Sequence, residues 1–287
     1  MIGRIAIILV AIGGALGTYI RFYYTYEPFS GEAVTLLTVG IVVGGGILGS
    51  IIRFLISGYA LPLSGSTGFP FGVMIANILA CILCAGIYVI CYKYVEGVTI
   101  RTNLFIFSVI GVAGGLSTFS SFALDVALLN DRKKYSFIIV YILTTLILSI
   151  GSIFLILHLF PFDVTMKKNI MPIPVDTIII NVAGSFIMGV FIGLMSRYGK
   201  GGYGSTALHI FVASGILGGM TTFSSFAMDT VMLVKHNYID KVGVDLIAGL
   251  KDASIYASLS LFGCIFAFMF GLQIVRLIYT KKFLRKK

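Results

Sequence analysis

The sequence predicts an all-α membrane protein of eight transmembrane helices, arranged as two inverted four-helix units with broken third helices. Three observations carry this reading. Of the 287 residues, 58% are hydrophobic and 11% charged, with a mean hydropathy of +1.04. That is more apolar surface than a soluble chain of this length can bury. Gly111-Val-Ala-Gly-Gly-Leu-Ser-Thr-Phe-Ser-Ser-Phe-Ala-Leu-Asp125 returns as Gly215-Ile-Leu-Gly-Gly-Met-Thr-Thr-Phe-Ser-Ser-Phe-Ala-Met-Asp229, an offset of 104 residues (Phe119 to Phe223). Repetition at a fixed period sets an architecture before any helix is placed. A third pair of matches keeps a different spacing, and that spacing dictates how the units are joined.

Apolar runs long enough to cross hydrocarbon, roughly 20 residues each, centre on 5–25, 35–57, 70–92, 104–128, 135–159, 173–195, 207–233 and 253–279. The first has only Arg4 before it and no small-residue cleavage pattern, so a retained helix is expected rather than a signal peptide. The first and second runs share Gly13-Gly-Ala-Leu-Gly-Thr-Tyr-Ile-Arg-Phe22 and Gly45-Gly-Ile-Leu-Gly-Ser-Ile-Ile-Arg-Phe54, only 32 residues apart (Arg21 to Arg53). The third and sixth share Pro70…Asn77 and Pro174…Asn181, again 104 apart. The fourth and seventh hold the long repeat. The fifth and eighth carry polar positions four apart on one helix face: Tyr141, Thr145 and Ser149, then Tyr256, Ser260 and Cys264.

Two first helices therefore precede either second helix. The simplest account is an insertion. Unit A comprises residues 1–30 and 165–287, and unit B, a complete four-helix unit over 33–160, enters after the first helix of A. An insert that begins after one crossing runs opposite to its host, and its four spans return the host to its own direction. Inverted topology follows without an added linker helix.

The formal net charge of +10 does not indicate nucleic acid, because five of the 21 basic residues sit in Lys281-Lys-Phe-Leu-Arg-Lys-Lys287. A basic tail after a membrane helix marks the cytoplasmic face. With eight spans the N-terminus is expected there too, together with Asp131-Arg-Lys-Lys134. The four cysteines, Cys81, Cys84, Cys91 and Cys264, all fall in predicted spans without histidine or carboxylate partners. They read as packing thiols.

In hydrocarbon every backbone polar group needs an internal partner, so Gly-Gly followed by Ser-Thr or Thr-Thr in mid-span reads as a break. Gly114 and Ser117, with Gly218 and Thr221, are the positions expected to free carbonyls; close helix packing by small residues is the alternative. Phe119 and Phe122, with Phe223 and Phe226, are three apart and share a face, and ring edges are electropositive. Turned to a lumen, such edges suit a small anion. Asn77 and Asn181 are amides in apolar spans, able to donate to an anion or to bond a neighbouring helix. The hydroxyl tracks can line an anion path or bond back to their own helices. Arg21 and Arg53 close their first helices in this reading, drawing anions into vestibules on opposite faces or anchoring helix ends. Asp125 and Asp229 read as structural partners at the membrane edge.

These motifs closely resemble the CrcB/Fluc family of fluoride channels, small four-helix proteins that assemble as antiparallel dimers with two pores and a central sodium ion. The resemblance covers essentially the whole chain as two nested units. It implies that Phe119, Phe122, Phe223 and Phe226 line pores, that Asn77 and Asn181 coordinate the anion, and that Tyr141, Thr145, Tyr256 and Ser260 form polar tracks. It further implies a structural Na+ held by carbonyls of Gly114, Ser117, Gly218 and Thr221, and vestibule roles for Arg21 and Arg53. A monomer equivalent to the family dimer follows from the fusion. The chain departs from the family in its nesting, in aspartate where many relatives have glutamate, and in Ala80 where unit A keeps Gly184.

The function so implied is passive, fluoride-selective export across the cell membrane, with fluoride and membrane lipid as partners and no enzymatic step. No Gly-x-x-x-x-Gly-Lys-Ser/Thr phosphate loop is present. A proton-coupled antiporter with inverted repeats is the alternative, although its titratable carboxylate belongs at the midplane. A cation channel using the freed carbonyls has no need for paired phenylalanine edges.

Overall fold

The computed structural model describes residues 2–25, 35–161, 174–198, 203–239 and 246–284. Eight helices among them are long and apolar enough to cross a membrane, and no strand occurs among the described residues. The chain is an all-α, multi-pass membrane protein. Part of the basic tail, Arg285 to Lys287, lies outside the described residues, as do 162–173 between the two halves.

Helix α1 (Ile2–Thr25) is followed by α2 (Leu36–Thr67). The second run was expected to end near residue 57. Instead α2 continues through Pro62 and stops at Gly68, whose φ of 73° is left-handed and whose N–H reaches Ser64 O at 2.8 Å. Proline removes one helical hydrogen bond without ending the helix here, whereas glycine supplies the conformation a helix end requires. Arg53 thus stands in mid-helix rather than at a terminus. Helix α3 (Phe71–Lys93) comes next.

The fourth and seventh spans are built in pieces. Helix α4 (Val98–Phe105) runs into a π-helical segment (Ile106–Ala113), then α5 (Gly114–Leu116), two extended residues, and α6 (Phe119–Asp131). Helix α7 (Tyr135–Leu159) completes the first half and α8 (Val175–Tyr198) begins the second. The pattern then recurs as α9 (Tyr203–His209), a π-helical segment (Ile210–Leu217), α10 (Gly218–Met220) and α11 (Phe223–Ile239). Helix α12 (Leu246–Leu284) ends the fold. The break was expected at Ser117 and Thr221, and both are extended there, with ψ of 157° and 148°. The π-helical turn before each break was not expected.

Glycine sets how the first helices dock. A Cβ on Gly13 would lie 2.8 Å from the Gly215 Cα, and one on Gly45 would lie 2.8 Å from the Gly111 Cα. So α1 packs against the second broken span, and α2 against the first. Gly45→Val forces these backbones apart. It is expected to cost about 1–3 kcal/mol, read as a lower melting temperature of the detergent-solubilised chain, with Gly40→Val as a control where no atom lies within 4 Å.

Candidate pore and central clamp

The breaks create the site. Extended residues within a span expose backbone groups that a helix would have paired, and helices restarting at Phe119 and Phe223 bring orphan N–H groups. The structure answers them with side chains from three directions.

First, the asparagines close the breaks. Asn77 Oδ1 accepts from Thr118 N at 2.9 Å while its Nδ2 donates to Thr118 O at 3.2 Å. Asn181 makes the same pair with Thr222, at 2.8 and 3.0 Å. These are interhelical structural bonds, one of the two roles left open above.

Second, the restarted helices cap each other. Ser117 Oγ accepts from the backbone N–H groups of Phe223 and Ser224, at 3.1 and 3.0 Å. Thr221 Oγ1 accepts from those of Phe119 and Ser120, at 3.2 and 3.1 Å. Local caps are added by Thr118 to Ser121 N and by Thr222 to Ser225 N. Each half thus finishes the helix start of the other. An N-cap hydroxyl contributes about 1 kcal/mol, so Ser117→Ala with Thr221→Val is expected to lower stability by roughly 2–3 kcal/mol, measured by denaturant unfolding in detergent. Ser117→Thr keeps the hydroxyl and should restore most of it.

Third, the arginines bridge the breaks. Arg21 Nη1 donates to Gly114 O at 2.8 Å and Gly219 O at 2.9 Å, and its Nη2 donates to Ile110 O. Arg53 Nη1 donates to Gly218 O at 2.6 Å and Ser117 O at 3.3 Å, and its Nη2 to Ser214 O at 2.6 Å. Their residues are only 3% and 4% exposed. Each guanidinium joins carbonyls of both broken spans, where its planar fork of donors fits. Arg21 and Arg53, expected at vestibules or headgroups, are buried with their guanidinium groups between the two breaks. The terminal nitrogens of an arginine, six heavy atoms from the backbone, reach carbonyls of both broken spans.

Gly114, Ser117, Gly218 and Thr221 were the carbonyls expected to hold sodium. Buried neutral carbonyl oxygens suit a hard monovalent cation, and each has a second lone pair. Three of the four already accept from a guanidinium. A sodium ion fits this donor set only by sharing it with two positive charges.

Phe119, Phe122, Phe223 and Phe226 are all 0% exposed and come together across the two halves. Phe119 meets Phe223 and Phe226 with centroids 5.1 Å apart, the latter edge-on at 80°. Phe122 meets Phe223 at 5.4 Å. Within each pair the rings are also near-perpendicular, at 78° and 72°. Outward, Phe122 stacks on Tyr141 at 5.1 Å and Phe226 on Tyr256 at 5.8 Å. One aromatic row thus connects the two polar tracks.

Each track begins at a tyrosine that donates to a carboxylate. Tyr141 Oη donates to Asp125 at 2.9 Å, and Tyr256 Oη to Asp229 at 2.8 Å. Thr145 bonds back to Tyr141 O at 2.7 Å, so its only donor is used within its own helix. Its counterpart Ser260, like Ser149, is a fully buried hydroxyl. Asp125 and Asp229, read above as edge partners, hold tyrosines. Ser120, Ser224, Thr118 and Thr222 were not singled out in advance. Their repetition in register, at the start of a restarted helix, was the available signal.

A family model for CrcB-like protein, Camphor Resistance (CrcB), matches residues 39–157 and again 160–272. The chain is 35% identical over 119 residues to a protein of Agrobacterium fabrum named fluoride-specific ion channel FluC, covering 42% of this chain and 92% of that one. A protein of the same name from Mesorhizobium japonicum is 40% identical over 103 residues, covering 36% and 71%. Another from Parabacteroides distasonis is 32% identical over 133 residues, covering 46% and 100%. No solved structure gives a significant match.

Proposed function

The chain belongs to the CrcB-like family, and from that membership we propose that it is a passive, fluoride-selective ion channel of the cell membrane, not an enzyme. The observation that carries the proposal is the row of four buried phenylalanines, shared by two halves and flanked at each end by a tyrosine. Ring edges at such a row stabilise a small anion weakly, which suits passage rather than retention. The hydroxyls of Ser149 and Ser260 offer donors along the way.

Two pores of opposite direction follow from two units nested in one chain, 1–30 with 165–287 and 33–160, so that a monomer performs what a dimer of single units would. The docking of α1 on the second break supports that division. Both termini are assigned to the cytoplasm from the basic tail. Hydrogen fluoride crosses membranes neutral and dissociates in an alkaline cytoplasm. The membrane potential then drives the anion outward, by roughly 2.3 kcal/mol per charge per 100 mV. Passive conduction is enough.

A structural sodium ion belongs to the same proposal, with Gly114, Ser117, Gly218 and Thr221 as its holders and the role of fixing both breaks. Its test is the melting temperature in sodium against N-methylglucamine. Equal values would remove sodium from the proposal without touching the pore.

The channel itself is tested by anion efflux from liposomes containing the purified chain, with potassium movement compensated by an ionophore. Fast fluoride efflux without chloride efflux is expected. Efflux of neither anion from well-folded protein would overturn the channel. Asp125→Asn with Asp229→Asn separates the antiporter reading, since proton coupling would be lost while passive fluoride efflux would persist.

A further inference from the structure

Three helices reach one side of the molecule, and basic residues gather there. Helix α2 stops at Thr67, α6 at Asp131 and α12 at Leu284. Asp131 and Arg276 form an exposed ion pair at 3.2 Å, which ties the turn after α6 to α12. Lys134 Nζ donates to Thr67 O at 3.4 Å and stands 5.0 Å over the Phe137 ring, which ties the same turn to α2. Helix α12 has 39 residues, about 58 Å at 1.5 Å per residue, and hydrocarbon takes up only about 30 Å. It is long enough to continue past the membrane core with Lys281 and Lys282 beyond Arg276. Arg132, Lys133, Lys134, Arg276, Lys281 and Lys282 thus stand against one acid, Asp131, which is already paired. The other end of α12 differs, since Lys251 is followed at once by Asp252.

The backbone of the turn makes an independent observation. Lys133 has a φ of 58°, and it is the one non-glycine residue with positive φ among the described residues. Its N–H donates to Asn130 O and that of Lys134 to Leu129 O, both at 2.9 Å. This is the helix ending that ordinarily takes glycine at the left-handed position, where glycine alone meets no steric penalty. Attraction to the carbonyl end of α6 is already supplied by Arg132 and Lys134. The chain therefore keeps an exposed charge at 133 against the preference of its own backbone.

We propose that the turn at 131–134 and the basic end of α12 form a binding surface for the headgroups of anionic phospholipids, with Lys133 as a principal contact. A lipid phosphodiester brings a negative charge to the depth at which these helices leave the hydrocarbon. Lysine and arginine stems reach that depth while their own backbone stays at the span's end. Leu63 and Tyr135, both exposed beside the turn, offer apolar surface to the acyl chains, which a free phosphate ion would not use. The leaflet is the one that the basic tail assigns to the cytoplasm, where anionic lipids make the membrane surface negative. Each basic residue close to such a surface strengthens attachment about fivefold. Headgroups held there bind the ends of α2, α6 and α12 to one leaflet.

The test titrates the detergent-solubilised full chain with phosphatidylglycerol, phosphatidylcholine or inorganic phosphate, and reads bound ligand by native mass spectrometry. Phosphatidylglycerol is expected to bind at least fivefold tighter than phosphatidylcholine. Lys133→Gly should weaken phosphatidylglycerol about fivefold and leave phosphatidylcholine unchanged, with no fall in melting temperature, because glycine suits the left-handed turn. Lys133→Arg keeps the charge and should keep the preference. Should the glycine variant fail to fold, Lys133→Asn replaces it, since asparagine also visits this conformation. Equal affinity for the two lipids, or a preference unchanged when the charge at 133 is removed, would overturn the proposal. So would equal losses in Lys133→Gly and Lys133→Arg, which would make the effect one of shape. Inorganic phosphate binding as tightly as phosphatidylglycerol would overturn the lipid assignment in favour of a small-anion site. None of these readouts depends on fluoride efflux, so the surface and the channel stand or fall separately.

Discussion

Replacing Arg53 with methionine is expected to abolish the folded, monodisperse chain or lower its melting temperature by more than any other single change considered above. The guanidinium is buried and donates to Ser117 O, Gly218 O and Ser214 O, which belong to both broken spans. Methionine fills the volume and donates nothing. Each buried carbonyl left unpaired costs about 1–3 kcal/mol, so the three together cost roughly 3–9 kcal/mol, a large fraction of any membrane protein's stability. Lysine retains the charge and three donors but not the planar fork, so Arg53→Lys should restore part of the loss. If Arg53→Met melts within a degree of the wild type, the central clamp is not holding the breaks. Arg21→Gln carries a second reading. Removing one positive charge from the carbonyls expected to hold sodium should widen the difference in melting temperature between sodium and N-methylglucamine.

Replacing Phe119 and Phe223 with methionine should reduce fluoride efflux at least a hundredfold while leaving the chain folded. These two rings touch each other and both outer phenylalanines, so their loss interrupts the aromatic row at its middle for both tracks. Methionine is close to phenylalanine in volume and flexible enough to fill the space, but it presents no electropositive ring edge. Efflux that survives this double change would show that the row is packing, and that the anion travels elsewhere. The two phenylalanines of each half share a helix face. The contact of Phe119 with Phe226 and of Phe122 with Phe223 makes the stronger prediction that one residue from each half is enough to stop both.

Much of the fold was legible before any coordinate. Eight spans, the break after each Gly-Gly pair and the offset repeats all rest on local pattern, and composition alone requires the bilayer. What escaped was set by distant partners. Arg21 and Arg53 looked like helix-end anchors because the run of apolar residues around Arg53 seemed to end near residue 57. Helix α2 in fact passes through Pro62 to Thr67, which puts Arg53 in mid-helix, opposite carbonyls 64 to 165 residues away. Ser117 and Thr221 were assigned for their carbonyls. Their hydroxyls, which cap helices in the opposite half, could not be seen without knowing that the halves cross. Thr145 bonds back to Tyr141 O in its own helix, a choice that depends on packing around the track and leaves no trace in spacing.

The docking of α1 has a consequence for how the chain is made. Its glycine face belongs on the segment around Gly215, and that segment emerges some 200 residues later. At synthesis rates of about 5–20 residues per second, α1 resides in the membrane for roughly 10–40 s before its partner exists. During that interval residues 33–160 are made. The helix does not wait alone, because its opposite side meets α2, where a Cβ on Gly14 would lie 2.5 Å from Ser50 Cβ and one on Gly46 would lie 2.6 Å from Thr18 Cβ. The contact open to α1 before the second half emerges is therefore the one with α2.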